Sequence, residues 1–286
     1  MSNFLTRTIT GLSMVFILLM ALFFSGWVFA SIFLVITILG LWEFYGLISS
    51  DECHPQKYYG TFAGALFFAG TAIICLLPAY NNSDQLWVSF MPFILPIPLI
   101  FLSFVIEIYR NKPKPLVNIA TTTIGFLYIA LPLSLLIFFN RPGVLHFWGM
   151  PVILVSYFGF TWMDDTAAYL YGKQFGKHKF FERISPKKTW EGTIAGAIVT
   201  LAAAFGLHFL VKDLILIDSL ALACIVLFFG THGDLVESLL KRSLNIKDSG
   251  TILPGHGGIL DRFDTMLISA PFVFLYFFLR HSILYP

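Results

Sequence analysis

The sequence predicts an all-α polytopic membrane protein with about nine transmembrane helices, its N-terminus cytoplasmic and its C-terminus outside. Three observations predict it: the composition, a succession of apolar stretches of helix-spanning length, and the partition of basic residues between alternate connections. Of 286 residues, 57% are apolar, 32 are phenylalanine and 12% are charged, against roughly 25% charged in a soluble domain. With mean hydropathy at +0.81, one aqueous core cannot account for so much apolar surface, and the bilayer becomes the solvent.

Crossing the hydrocarbon core takes about 20 apolar residues. The apolar run from Ile9 to Ile48 is twice that length, and Ser25-Gly26 near its middle offers a turn, so it divides into two spans. Arg7 and the small-residue stretch Val28-Phe29-Ala30 resemble a cleavable leader, but the apolar run continues past them, and a retained helix pair is expected. Further spans are expected at 58–80, 86–108, 116–139, 148–171, 190–211, 214–240 and 265–284. Pro92, Pro96 and Pro98 predict a kinked or irregular fourth span. Glu43 and Glu107 fall near span ends, where interfacial solvation accounts for them; a role in a site is the alternative. Cys53, Cys75 and Cys224 are scattered, without metal-ligand spacing, and read as unpaired small hydrophobes.

Alternating the spans from a cytoplasmic N-terminus places 15 of the 18 Lys and Arg on the cytoplasmic side and leaves Arg141, Lys212 and Arg280 on the other. A miscounted span would scramble that asymmetry, so the positive-inside rule supports nine crossings. Residues 1–140 form an expected scaffold of about five helices. Residues 141–286 form a catalytic region of about four helices with cytoplasmic loops.

Chemistry concentrates in the second region. Asp164 and Asp165 sit in the apolar sixth span, where an acid at the bilayer centre costs on the order of 2.5–3.5 kcal/mol. A deeper-set span that leaves both acids at its cytoplasmic end is the alternative. The loop from Gly172 to Thr189 carries six basic residues, ending in Ser185-Pro186-Lys187-Lys188-Thr189 before Glu191-Gly192. A basic patch resting on anionic lipid would look similar. Paired lysines between hydroxyls at a helix start suit phosphate groups.

The stretch 230–264 is the most informative. Asp234, Glu237, Ser238 and Lys241 recur at helical spacing and share one face. Arg242, Lys247, Asp248 and Ser249 follow, then Gly255-His256-Gly257-Gly258 and Asp261-Arg262-Phe263-Asp264. Were 260–265 helical, Asp261 and Asp264 would lie one turn apart and project the same way. Asp234, Asp261 and Asp264 supply hard oxygen ligands suited to Mg²⁺, with Asp164 and Asp165 as further candidates. Gly255, Gly257 and Gly258 let backbone N–H groups approach phosphate oxygens. Lys241, Arg242, Lys247 and Arg262 can neutralise charge on a transferring phosphoryl group. A solvated loop with capping acids would explain any one of these features, but not their density in so apolar a chain. His256 reads as a phosphate contact and His232 as structural. No nucleic-acid partner is expected.

The run from Ser238 through Lys241-Arg242, Lys247-Asp248, Pro254 and His256-Gly257-Gly258 to Asp261-Arg262 and Asp264 resembles the signature of the phosphatidate cytidylyltransferases (CDP-diacylglycerol synthases). The segment from Trp162 through Asp165-Thr166, Tyr169, Gly172 and Phe175-Gly176-Lys177 to Ser185-Pro186-Lys187-Lys188-Thr189 and Glu191-Gly192 resembles the same family, with Lys173 where arginine is expected and Ala167 where glycine is frequent.

The resemblance implies the reaction CTP + phosphatidate → CDP-diacylglycerol + pyrophosphate. It also implies Mg²⁺, an accompanying K⁺, a homodimer, and residence in the inner membrane with the site facing the cytoplasm. It assigns the metal to Asp234, Asp261 and Asp264. Substrate binding falls to Ser238, Lys241, Arg242, Lys247, Asp248, His256 and Arg262, with Lys187 and Lys188; Ser185, Glu191, Glu237, Gly257 and Gly258 complete the candidate site. Alternatives are a CTP-dependent polyprenol kinase, another lipid cytidylyltransferase and, from a different class, a cation-coupled transporter.

Overall fold

The computed structural model describes residues 3–77, 94–141, 146–147, 150–250 and 257–284. Among them the helical rods are α1 (Asn3–Phe24), α2 (Gly26–Ile48), α3 (Lys57–Leu76), α4 (Pro96–Arg110), α5 (Pro115–Asn140), α6 (Val152–Phe175), α7 (Trp190–Leu210), α8 (Leu216–Ser243) and α9 (Leu260–Leu284). Six of these, α2, α3, α5, α7, α8 and α9, are long and apolar enough to cross a membrane. The chain is an all-α, multi-pass membrane protein.

Local chemistry explains where the rods start and bend. Ser25 breaks the first apolar run as expected, taking an extended backbone and accepting the Val28 N–H on its hydroxyl at 3.2 Å. Thr189 does the same for α7, accepting from the Gly192 N–H at 3.3 Å. Pro132 has no N–H to give inside α5, and a π turn over Phe126–Ala130 directly precedes it. A second π turn, Val226–Gly230, interrupts α8 just before Asp234.

Several expectations change. Pro96 occupies the first turn of α4, where a missing N–H costs no helical bond. Pro92 lies outside the described residues. The sixth helix runs to Phe175, beyond the expected end at 171. What was expected to be a loop is instead the end of that helix followed by a hairpin, β3 (Lys179–Phe181) paired antiparallel with β4 (Ser185–Thr189). A smaller pair, β1 (His146–Phe147) and β2 (Met150–Pro151), precedes α6. The last helix starts at Leu260, five residues early, which brings Asp261 and Asp264 into its opening turns.

The chain forms two compact units, Met1–Val144 with Asp248–Phe263, and Leu145–Lys247 with Asp264–Pro286. In the first, Phe29, Phe33, Leu41, Tyr45, Phe67 and Phe68 are buried, and the Tyr45 hydroxyl donates to the Thr122 carbonyl at 2.7 Å. Glu107 is buried there too. It accepts from Gln56 Nε2 (2.6 Å), Asn118 Nδ2 (2.7 Å) and Arg110 Nη1 (2.7 Å), so interfacial solvation does not account for it. Outside the spans, the hydrogen bond and charge of Lys114 hold the Glu52 carboxyl below its usual range. In the second unit, Val152, Val211 and Leu214 form an apolar cluster, and the buried Tyr157 hydroxyl meets Ser269 Oγ at 2.6 Å.

Candidate active site

The second unit holds an acidic group built from two helices. The π turn ends at Gly230, and the helical turns after it carry Asp234 and Glu237 on one face; Asp264 comes from α9. One carboxylate oxygen from each of Asp234, Glu237 and Asp264 lies within 4.8 Å of the other two. Close helix packing makes this possible: a Cβ on Gly233 would stand 2.5 Å from the Asp264 carbonyl oxygen. The Asp264 carboxylate also accepts the Thr265 N–H at 2.7 Å.

Two lysines answer these acids. Lys188 Nζ, from β4, is 2.6 Å from Asp234 Oδ2. Lys241 Nζ is 2.5 Å from Glu237 Oε2, an i,i+4 pair in which the glutamate is almost fully buried. The charge of Asp165 acts on Asp264, and that of Lys188 on Asp164. Two carboxylates about 4.8 Å apart repel by about 3–4 kcal/mol at an effective dielectric of 20. A hard divalent cation relieves that repulsion, and an all-oxygen donor set suits Mg²⁺.

Beside the acids lies a cleft of about 520 Å³, lined by Asp164, Asp165, Tyr169, Lys173, Lys179, Lys187, Lys188 and Thr193, with Gly172, Gly176, Gly192 and Gly230 among its walls. Asp164 packs so closely on α7 that a Cβ at Gly196 would meet its Oδ1 at 2.1 Å. The hairpin that presents Lys187 and Lys188 is held by Glu191. Its carboxylate accepts the Lys177 and His178 N–H groups (3.1 and 3.2 Å) and meets His178 Nδ1 at 2.6 Å. Glu191 therefore shapes the cleft through the hairpin.

The first unit contains a second polar assembly. Asp261 Oδ2 accepts the Ser249 N–H (2.9 Å), the Ser249 hydroxyl (2.9 Å) and the Gly258 N–H (2.8 Å). Glu43, buried in α2, accepts the Ser249 hydroxyl and the N–H groups of Ile259 (2.9 Å) and Leu260 (3.2 Å), capping α9. Gly257 is left-handed at φ 83, and a Cβ there would stand 2.4 Å from Asp261 Oδ2. The Gly258 N–H, expected to face phosphate, is thus taken by the chain's own carboxylate.

Of the expected metal ligands, Asp234 and Asp264 stand in the acidic group with Glu237. Asp261 binds Ser249 and Gly258 although it is one turn from Asp264. Residues three apart share a helix face, so the spacing does not separate them; the donors Ser249 and Gly258 claim the Asp261 carboxylate. Ser238 Oγ approaches Asp234 Oδ1 at 3.4 Å. Arg242 donates to the Ile246 carbonyl at 3.3 Å, while Lys247, Asp248 and Arg262 are exposed and Ser185 is half-buried in β4. His256 and Gly255 lie outside the described residues. His232 Nδ1 donates to the Phe228 carbonyl at 2.6 Å. Sequence reading missed the capping role of Glu43, whose signal was an acid inside an apolar span. It also missed Lys179 and Thr193 as cleft residues.

The sequence profile of the cytidylyltransferase family matches residues 5–280. The chain belongs to that family. Relatives of this cytidylyltransferase-family chain include proteins named phosphatidate cytidylyltransferase from Staphylococcus haemolyticus (37% identical over 215 residues, 71% of this chain and 75% of the relative) and Staphylococcus saprophyticus (41% over 157 residues, 54% and 55%). A third, from Rickettsia felis, is 38% identical over 158 residues, 53% of this chain and 67% of the relative. The chain thus spans between 55% and 75% of the length of these relatives.

Proposed function

We propose that the chain transfers the cytidylyl group of CTP to phosphatidate, forming CDP-diacylglycerol and pyrophosphate. The observation that carries this reading is the Lys188–Asp234 pair, which joins a lysine-lined cleft to an acidic group in a family of cytidylyltransferases. The relatives' names supply the lipid.

The phosphate monoester of phosphatidate is largely dianionic near neutral pH, so it needs little deprotonation to act as nucleophile. The obstacle is bringing a dianion to a triphosphate. Lys173, Lys179, Lys187 and Lys188 lower that barrier by neutralising phosphate charge in the cleft and holding the reactants in line. A phosphatidate oxygen forms a bond to the α-phosphorus, the bond from that phosphorus to the bridging oxygen breaks, and pyrophosphate leaves. No covalent enzyme intermediate forms. Mg²⁺, when bound, supplies further charge neutralisation, with Asp234, Glu237 and Asp264 as its holders. The Asp261 carboxylate holds Ser249 and Gly258. Asp164 and Asp165 line the cleft, where a second, monovalent ion such as K⁺ would bind.

This reading extends to nine crossings, a homodimer, residence in the inner membrane and a site facing the cytoplasm, where CTP is found. The basic asymmetry of the connections supports the orientation.

The test is product analysis with purified protein and CTP labelled in the α-phosphate. Labelled lipid with release of pyrophosphate is expected. Labelled CDP with phosphorylation of an added polyprenol would replace this reading with a kinase. Trapping a labelled protein adduct would overturn direct attack.

A further inference from the structure

We infer that Lys188 is the internal counter-ion of the acidic group, displaced from Asp234 when a divalent cation binds and thereby released to a substrate phosphate. This deepens the reading above and rests on it.

The geometry supports an exchange. Lys188 comes from β4, not from the helices that carry the acids, and its ammonium is 2.6 Å from Asp234 Oδ2. The oxygen set that suits a cation is therefore partly occupied by the chain's own charge. The two lysine pairs differ in character. Lys241 lies on the same helix as Glu237, and both side chains are largely buried, so that pair is part of the fold. Lys188 lines the open cleft, and both it and Asp234 remain about 30% exposed (28% and 31%), so water can replace either partner at modest cost. A divalent ion brings two charges where the ammonium brings one, and it repels the ammonium. The freed Nζ has Lys187 beside it in sequence, and Lys173 and Lys179 line the same cleft, a setting fit for a phosphate. Binding of cation and binding of phosphate become coupled through one side chain.

The exchange predicts effects of opposite sign. In Lys188→Met, which keeps the length and removes the charge, the protein without substrates binds Mn²⁺ about fivefold more tightly, because its competitor is gone. The same variant binds phosphate more weakly. Mn²⁺ affinity is read by electron paramagnetic resonance on full-length protein in detergent. Phosphate affinity is read in separate titrations with CTP and with phosphatidate, and whichever weakens identifies the phosphate that Lys188 receives. Lys179→Met, a cleft lysine, is the comparison and should change Mn²⁺ affinity less.

Unchanged or weaker Mn²⁺ binding in Lys188→Met overturns the proposal, as does phosphate binding that is unaffected. A merely structural role would weaken cation and phosphate binding together. If the unsubstituted protein binds no Mn²⁺, or Asp264→Asn binds it equally well, then the metal site itself is misassigned, an outcome distinguishable from failure of the exchange.

Discussion

The hydroxyl of Ser249 donates to the carboxylate of Glu43, a residue 206 positions earlier in the chain. Through this bond and the Ile259 and Leu260 N–H groups, an acid of α2 fixes the segment that opens α9. Glu43→Gln places an amide among donors and is expected to destabilise the protein by about 1–3 kcal/mol. Thermal unfolding in detergent measures this. Ser249→Ala should cost less, because the backbone bonds to Glu43 remain.

Gly233 sets the approach of α8 to α9. A Cβ there would stand 2.5 Å from a backbone oxygen, which cannot swing aside as a side chain can. Gly233→Ala should push Asp234 and Asp264 apart, lower stability by about 1–3 kcal/mol and raise the Mg²⁺ concentration needed for half-maximal turnover. A Mg²⁺ titration of initial rate checks it.

Thr189 both caps α7 and packs on Gly172 and Gly176. Thr189→Val keeps the shape and removes the cap, a loss of about 0.5–2 kcal/mol. Because β4 ends at this residue, the KM for CTP should rise as well, while Thr189→Ser should retain both properties. Steady-state kinetics beside thermal unfolding separates the two effects.

Tyr157 offers the converse case. Its hydroxyl is buried against Ser269, and neither residue lines the cleft. Tyr157→Phe should lower stability by about 1 kcal/mol and leave kcat and the KM for CTP unchanged in the folded protein.

The rods were legible because composition and length dictate them: a Ser-Gly pair inside a forty-residue apolar run, and Thr189 before a fresh one, both mark helix starts. The i,i+3 and i,i+4 spacing of Asp234, Glu237, Ser238 and Lys241 likewise predicted one helical face, and the contacts Asp234–Ser238 and Glu237–Lys241 follow it. Spacing could not say which way an early-helix acid turns. Asp261 and Asp264 look alike in sequence, but Asp261 meets Ser249 and Gly258, whose positions depend on long-range packing. The β3–β4 hairpin was hidden because a run rich in lysine carries little apolar alternation. Glu43 and Glu107 looked like interfacial acids, since the donors that bury them arrive from distant segments.

The central claim is that acids from α8 and α9 hold one divalent ion that the reaction requires. Its most direct measurement is the Mg²⁺ dependence of CDP-diacylglycerol formation by purified protein after chelation, in the unsubstituted chain and in Asp234→Asn and Asp264→Asn. The account predicts that chelation abolishes turnover and Mg²⁺ restores it. Each variant should lose about a hundredfold or more in turnover and need far more Mg²⁺ for what remains. Unchanged turnover and an unchanged half-saturating Mg²⁺ concentration in both variants would contradict it.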